Sequence, residues 1–531
     1  MALPAALAPL ERPVFRGLWL ASLAANMTMW MNDVAAAWLM TTLTTRPVLV
    51  ALVQTASTLP MFLLGVPSGA LADIVDRRRY FAATQLWVSL VALLIAALAL
   101  AGLLNAPLLL ALTFLNGIGL AMRWPVFSAI VPEVVERAHL PAALALNGIA
   151  MNISRVVGPT IAGALLASAG TPWVFVLNAV LAGVAFWLIL RWRSTPRAST
   201  LPGERFIGAM RVGLQHARQS PPLRAVIIRA FMFFLQASAL VALLPLLALQ
   251  LHRGGAGLFT LLLACLGAGA ITAALLFPRW RRRFTGAQFV TYGSIIHAAM
   301  AALAALVPEI WVAVPAIFVA GMAWISTANT LSIAAQVVLP NWVRARGMAI
   351  FQMALMGGTA FGAIVYGRLA GAIGVPAAIA SASVLGVLLL PLLRRWSVEG
   401  LDADHSAVAP PRTPPEVKIE IGPDEGPVMV TLEYVIDPAR AAEFDAVMQL
   451  TRAARLRQGA LSWGLFRDTV APGRYVEYFV DESWVEHQRR LERFTAADAE
   501  LRARRMAFHL GEQAPLIRRF VAGTGAPLAA L

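Results

Sequence analysis

Ionisable residues are scarce in the apolar stretches of this chain, so the few that occur there are the first candidates for chemistry. Asp33, within Trp30-Met31-Asn32-Asp33, is the one acid deep inside an apolar run. A charge in hydrocarbon is costly and marks ion pathways, proton relays or buried pairs. Asp33 therefore reads in two ways. It is a proton-coupling or cation-binding site, or it is the structural partner of a buried arginine. Arg155 lies in the middle of a later run, and Arg123 stands just before Trp124-Pro125. A guanidinium stays charged, so each needs a partner or a wet cavity. Arg155 is expected to pair with Asp33 or to meet an anionic substrate. Asn32, Asn147 and Asn152, with Asn26, Gln236, Asn329 and Gln352, add polar groups that hold helices together or touch substrate. Met27, Met29, Met31, Trp30 and Phe231 to Phe234 line an adaptable apolar cavity or face lipid and core. His297 reads as a satisfied polar group.

Two short segments carry a different kind of chemistry, that of helices moving past each other. The first is Gly69-Ala70-Leu71-Ala72-Asp73-Ile74-Val75-Asp76-Arg77-Arg78-Arg79. Gly69 lets a neighbouring helix come close, and Asp73 can pair with loop arginines when one side is closed. The simpler reading is that Arg77 and Arg78 hold the loop on one side, with the acids as counter-ions. The second is Asn152-Ile153-Ser154-Arg155-Val156-Val157-Gly158-Pro159-Thr160-Ile161-Ala162-Gly163. Gly158, Pro159 and Gly163 soften a helix that packs closely and bends, or make a plain packing kink.

These residues need elements to position them, and composition says what those are. Of 531 residues, 59% are hydrophobic and 13% charged, with a mean hydropathy of +0.71. A soluble domain carries about 25% charged residues. Apolar runs of roughly 20 residues cross a bilayer as helices. Twelve such runs are predicted at 15–42, 47–72, 80–103, 107–131, 141–168, 172–191, 224–250, 256–278, 286–307, 310–338, 346–373 and 375–394. The start, broken by Glu11-Arg12-Pro13, is not expected to be a cleaved signal. A hydrophilic gap, 193–223, divides the runs six and six. Within it, Phe206, Ile207, Met210, Val212 and Leu214 predict a short helix lying at the membrane interface. Cys265 is the sole cysteine, so no intramolecular disulfide forms.

Arginines cluster after even-numbered runs, at 77–79, 191–197, 279–283, 344–346 and 394–395. By the positive-inside rule both termini are expected in the cytoplasm, the inner membrane being the location. Residues 397–415 form a Pro-, Ser- and acid-rich linker, and 416–531 a separate domain. That domain has 15 Lys/Arg and 17 Asp/Glu, leaving 28 and 11 for the rest. The basic balance thus follows from loop topology and excludes nucleic-acid binding. Strands at 428–436, 460–467, 474–481 and 516–521, with helices at 438–457 and from Ser483, give the order β-α-β-β-α-β. This predicts a ferredoxin-like α+β domain beside an all-α membrane part. Ser483 and Glu486 are expected to form a capping box.

The loop Gly69 to Arg79 resembles the signature between the second and third helices of the major facilitator superfamily. Ile74 and Asp76 depart from it. Its Asp-Arg-Arg-Arg ending looks like the subgroup of enterobactin exporters, or transmembrane secretion effectors. Gly158-Pro159-Thr160-Ile161-Ala162-Gly163 is similar to that superfamily's antiporter motif, and Val343-Arg344-Ala345-Arg346-Gly347-Met348 to its R-G-R-x-m-a segment. The resemblance covers residues 12–396. Thr113 stands where the family places a fourth-helix arginine, before Asn116-Gly117. It implies two six-helix bundles (1–192 and 224–396) and export of a small amphipathic compound, a drug, siderophore or secondary metabolite, coupled to protons. The tail resembles the dimeric α/β barrels of antibiotic-biosynthesis monooxygenases. Trp463, Trp484 and His487 then line a pocket or form the core of a dimerising or ligand-sensing module. A sensor and a membrane-anchored monooxygenase are the competing readings. No Walker sequence, metal cluster or nucleophile triad occurs, so neither an ATP-driven pump nor a cofactor is expected.

Overall fold

The computed structural model describes residues 7–135, 139–192, 206–251, 254–340, 342–396 and 417–523. The linker expected at 397–415 lies outside the described residues. The chain divides into two compact units. Met1–Leu201, Ile227–Ser332 and Phe351–Ser397 form the first, and Pro202–Val226, Ile333–Ile350 and Val398–Leu531 the second.

The first half of the membrane part is α1 (Pro13–Leu43), α2 (Pro47–Ile74), α3 (Arg77–Leu100), α4 (Ala106–Val134), α5 (Leu140–Ser168) and α6 (Thr171–Arg191). After α7 (Phe206–Gln219) come α8 (Pro221–Gln250), α9 (Ala256–Trp280), α10 (Gly286–Leu306), α11 (Ile310–Val338), α12 (Arg344–Ile373) and α13 (Val375–Leu388). Helix is dictated by the solvent. In hydrocarbon every backbone polar group must be satisfied within the chain, and a helix does this segment by segment. Proline opens α1, α2, α5, α6 and α13, where its missing N–H costs nothing. Among the described residues, ten helices are long and apolar enough to cross a membrane. The other two apolar ones are α1, diluted by Asn26, Asn32 and Asp33, and the short α13. The last predicted run, 375–394, is therefore corrected. It holds helix only to Leu388, and Pro391 is followed by a 3-10 turn, Leu392–Arg395, because proline cannot donate the next helical bond.

The halves share a local device. Gly170 (φ 94°) precedes α6 and Gly374 (φ 89°) precedes α13, each turning the chain where an L side chain is strained. α3 packs along α6, α1 along α5 and α6, α2 along α4, and α10 along α13. The core joins Met31, Met40 and Val53 of the first half with Leu243, Ile317 and Tyr366 of the second. Leu93, Leu275 and Trp311 stay exposed, as a surface solvated by lipid requires.

In the second unit the tail comprises β1 (Val428–Val435), α14 (Ala441–Arg457), β2 (Ser462–Arg467), β3 (Arg474–Asp481), α15 (Trp484–Glu492), α16 (Ala496–Met506) and β4 (Leu516–Val521). The sheet is antiparallel in the order β2-β3-β1-β4. The pleat turns Val428, Val430, Leu432 and Tyr434 inward onto Phe444 and Met448 of α14. Gly473 (φ 84°) is needed at the β2–β3 turn, since a Cβ there would lie 2.3 Å from the Ile436 carbonyl oxygen. The helix expected from Ser483 is two helices. Thr495 and Asp498 form a reciprocal capping box that starts α16 anew. The box expected at Ser483 is half made: its hydroxyl accepts from the Glu486 amide, but the Glu486 carboxylate pairs with Arg489 and Arg493 instead. The short helix of the central gap is α7, and it packs on α14. Its buried Val212 closes against Gly459, and Arg211 donates to Glu482 at 2.6 Å.

Candidate functional site

Three side chains of α1 that can carry chemistry share one face. Asn26, Trp30 and Asp33 follow each other at i, i+4 and i+7, one face of the helix. Each meets a different neighbour. Asp33 Oδ1 accepts from the Ser57 hydroxyl of α2 at 3.0 Å. Asn26 Oδ1 accepts from Arg123 Nη2 of α4 at 2.9 Å, where both residues are buried. Arg155 of α5 stands between two indoles, 5.3 Å from the Trp30 ring and 5.2 Å from the Trp324 ring of α11. Both distances lie within the roughly 6 Å over which a ring face attracts a cation.

The expected Asp33–Arg155 pair is not formed; a hydroxyl holds the acid and aromatic faces hold the cation. Arg155 Nε, Arg123 Nη1 and Trp30 Nε1 are buried without a hydrogen-bond partner. Two of these donors are guanidinium nitrogens of residues that contact α1, the helix that carries Asp33. Asn32 is buried on the same helix, and Asn147 Oδ1 is buried without a partner. The side chain of Asn152 lies outside the described residues. Ser57 and Trp324 were not marked by the sequence reading. The i, i+4, i+7 stripe on α1 was a readable signal, but its partners depend on which helices adjoin.

Two seams join the halves around this site. Along the first, α5 faces α9, and a Cβ on Gly163 would fall 2.0 Å from Thr260 Cγ2; Gly158 faces α1 within the first half instead, where a Cβ would fall 3.0 Å from Trp30 Cβ. The glycines of the motif are thus points of close approach, and Pro159 sits inside the helix between them. Along the second, α2 faces α12. Gly357 lies under Phe62 and Gly367 under Ala51, while the Thr55 hydroxyl donates to the Ala360 carbonyl at 3.0 Å. Close backbone approach through small residues is how helices associate in lipid.

The sequence profile of the transmembrane secretion effector family matches residues 4–526. The chain belongs to that family. It is 27% identical over 391 residues to an enterobactin exporter of Salmonella typhi, covering 72% of this chain and 91% of that protein. It is 24% identical over 251 residues to the staphyloferrin A transporter of Staphylococcus aureus, covering 47% of this chain but only 63% of that protein. The fold is similar to that of a bacterial homologue of the lysosomal transporter Spinster (TM-score 0.57, 16% identity, 73% and 96% of the two chains). It is also similar to that of the nucleoside transporter NupG (TM-score 0.58, 13% identity, 72% and 98%). The protein is a multi-pass membrane transporter of the major facilitator superfamily and not an enzyme. The profile match continues past residue 396, whereas the match to the enterobactin exporter covers 72% of this chain.

In this transporter's loop between α2 and α3, Asp76 caps α3 by accepting from the Arg79 amide at 3.0 Å. Arg78 donates to the Leu190 carbonyl at the end of α6. Arg77 opens α3. Gly69 and Asp73 fall in the last turns of α2, and their side-chain surroundings lie outside the described residues. In the third motif, Gly347 closes on Leu339 and Arg344 donates to the Leu339 carbonyl at 3.4 Å.

In the tail, the three expected pocket residues separate. His487 lines a cavity between the sheet and α16. Its Nδ1 meets Asp481 at 2.8 Å, and burial holds its pKa below the ordinary value despite that carboxylate. Trp484 packs over the His487 ring, and Trp463 donates to Glu477 at 3.2 Å; neither lines the cavity. The sequence reading missed the two buried acids. Burial pushes Glu477 up, but the charges of Arg455 and Arg505 outweigh it and hold the carboxyl at about 2. Burial acts likewise on Asp481, where Arg490 and His487 win and the pKa is lowered.

Proposed function

We propose that the transporter is a proton-coupled exporter of a small amphipathic compound, working by alternating access around the α1 face. The observation that carries this reading is Asp33, a lone carboxyl inside a membrane helix whose Ser57 hydroxyl partner is neutral. Such a carboxyl can load and release a proton without breaking an ion pair. Arg155, its guanidinium stacked between Trp30 and Trp324, ties α5 of one half to α1 and α11. It offers donors to an anionic group of the substrate, while the indoles contact an apolar one. The relatives are named for siderophore transport and export, which favours a metal-chelating, oxygen-rich cargo. The α2–α3 loop serves as the gate, with Asp73 and the arginines closing the cytoplasmic side. Both termini then face the cytoplasm, and the tail, which we read as a ferredoxin-like domain on the strand order β2-β3-β1-β4, lies there too.

A cell-based efflux screen with siderophores and amphipathic toxins identifies the cargo. Flux of that cargo into proteoliposomes under an imposed pH gradient then tests coupling. Asp33→Asn at normal membrane abundance should lose gradient-driven flux while retaining exchange of cargo across the membrane. Undiminished pH-driven flux in Asp33→Asn would sink the coupling role.

A further inference from the structure

The cavity in the tail has more positive charge around it than its own acids can balance. Its apolar side is made by Val430, Leu432 and Ile517 of the sheet, with Phe479, Met506 and Pro515. Its polar side is made by Arg455, Arg490, Arg502, Arg505, Arg519 and His487. Two of these arginines are neutralised. Arg455 donates to Glu477 at 2.9 Å, and Arg490 Nε to both oxygens of Asp481 at 2.9 Å. Arg502 and Arg519 have no carboxylate partner among the described residues, and Arg505 feels the charge of Glu477, the acid already held by Arg455, without a salt bridge or hydrogen bond to it. Arg519 Nε donates to His487 Nε2 at 3.3 Å, which uses the acceptor nitrogen of a neutral ring whose Nδ1 meets Asp481.

Arg505 is the informative one. It is only 6% exposed, and its Nε is buried with no hydrogen-bond partner. Arg455 and Arg505 thus share one buried carboxylate, which leaves a surplus positive charge and an unmade hydrogen bond that a fold retains only against some gain. The cavity has an accessible volume of about 80 Å³. A single water needs roughly 10–15 Å³ on that measure, so several would fit, or one small molecule. Mostly apolar lining with a few convergent polar groups is the general form of a ligand site, and guanidinium forks match carboxylates in two-point geometry.

We infer that the tail binds a small organic anion, a carboxylate on a compact apolar body, whose charge is received by Arg505 with Arg502 and Arg519 and whose body rests on Leu432, Ile517 and Met506. The site lies in the second compact unit, whereas the face on α1 lies in the first.

The test uses the full chain in lipid nanodiscs, with benzoate as the probe, benzamide as its neutral counterpart and inorganic phosphate as an anion without an apolar body. Calorimetric titration should show saturable benzoate binding, at least tenfold weaker binding of benzamide and phosphate, and a tenfold or greater loss in Arg505→Met. Arg502→Gln, an exposed position, should weaken benzoate several-fold and keeps the test valid if the first variant misfolds. Hydrogen-exchange protection of β1 without ligand should be unchanged or higher in Arg505→Met, the opposite of what a residue kept for folding would give. Equal binding of benzoate and benzamide, tighter binding of phosphate, absence of saturable benzoate binding, or retained binding in both variants overturns the proposal.

Discussion

Glu477 is fully buried, with Arg455 Nε at 2.9 Å, the Tyr434 hydroxyl at 3.0 Å and Trp463 Nε1 at 3.2 Å donating to its two oxygens. Its folded pKa, about 2, is below the ordinary 4.5. The stability it contributes is therefore present above about pH 4.5 and is lost as pH falls toward 2. His487 adds an earlier step. It is held neutral in the fold, so the unfolded chain gains a proton that the folded one refuses below about pH 6.5. Tail stability should be level above pH 7, decline first through the histidine range and then steepen below 4.5. Hydrogen-exchange protection of β3, corrected for intrinsic exchange at each pH, reads this directly; protection that is flat from pH 7 to 3 would refute the assignment. Arg455→Met strands the carboxylate and should cost roughly 3–5 kcal/mol, while adding Glu477→Leu should recover most of it. The two acids were legible in one sense. Tyr475, Glu477, Phe479 and Asp481 alternate along one face of β3, so a correct strand puts both acids with the aromatics. Their type argued for the surface, and the arginines brought by α14, α15 and α16 make burial tolerable. Ser57 was less accessible still, because nothing along the chain says which turn of α2 passes Asp33.

At the scale of elements, α5 separates two uses of glycine. Gly163 abuts Thr260 of α9, whereas Gly148 on the same helix has nothing within 4 Å of its would-be Cβ. Gly163→Ala should force the α5–α9 seam apart, with an overpacking cost of about 1–3 kcal/mol. Gly148→Ala should be neutral or slightly stabilising, as alanine is the better helix former. Substrate efflux by the two variants, normalised to membrane abundance, checks this, and equal efflux would remove the seam from the transport cycle. The helices themselves were readable to within a few residues, since apolar runs, opening prolines and arginine-rich breaks all mark the same borders. In the tail, the element that was misjudged is its last helix. Thr495 and Asp498 were visible three apart, yet the restart they cap was hidden by continuous helical propensity on either side. α7 was expected as a helix from its apolar spacing. The face that spacing offered to lipid is partly taken by α14, a choice made by tertiary contact and not by periodicity.

For the whole molecule, the strongest expectation is orientation, and it rests on charge. The loops after α2, α6 and α9 carry arginine clusters, while the segments after α3, α5 and α10 carry no lysine or arginine. Translocation disfavours cationic loops, so the arginine-bearing side should remain in the cytoplasm. Cys265 is the only cysteine, which makes the prediction clean to test. In a Cys265→Ser background, Leu103→Cys in the turn after α3 and Glu309→Cys before α11 should react in intact cells with a membrane-impermeant maleimide. Arg282→Cys after α9 and Val470→Cys in the tail hairpin should react only after permeabilisation. Leu103 and Val470 are both well exposed, at 67% and 88%, so failure to label reports topology and not burial. Labelling of Val470→Cys from outside would place the tail on the far side and would detach it from any cytoplasmic gate. The reverse pattern at Leu103 would overturn the positive-inside assignment for the first half. With the predicted pattern, the anion site and the α2–α3 loop face the same compartment, the one from which an exporter collects its cargo.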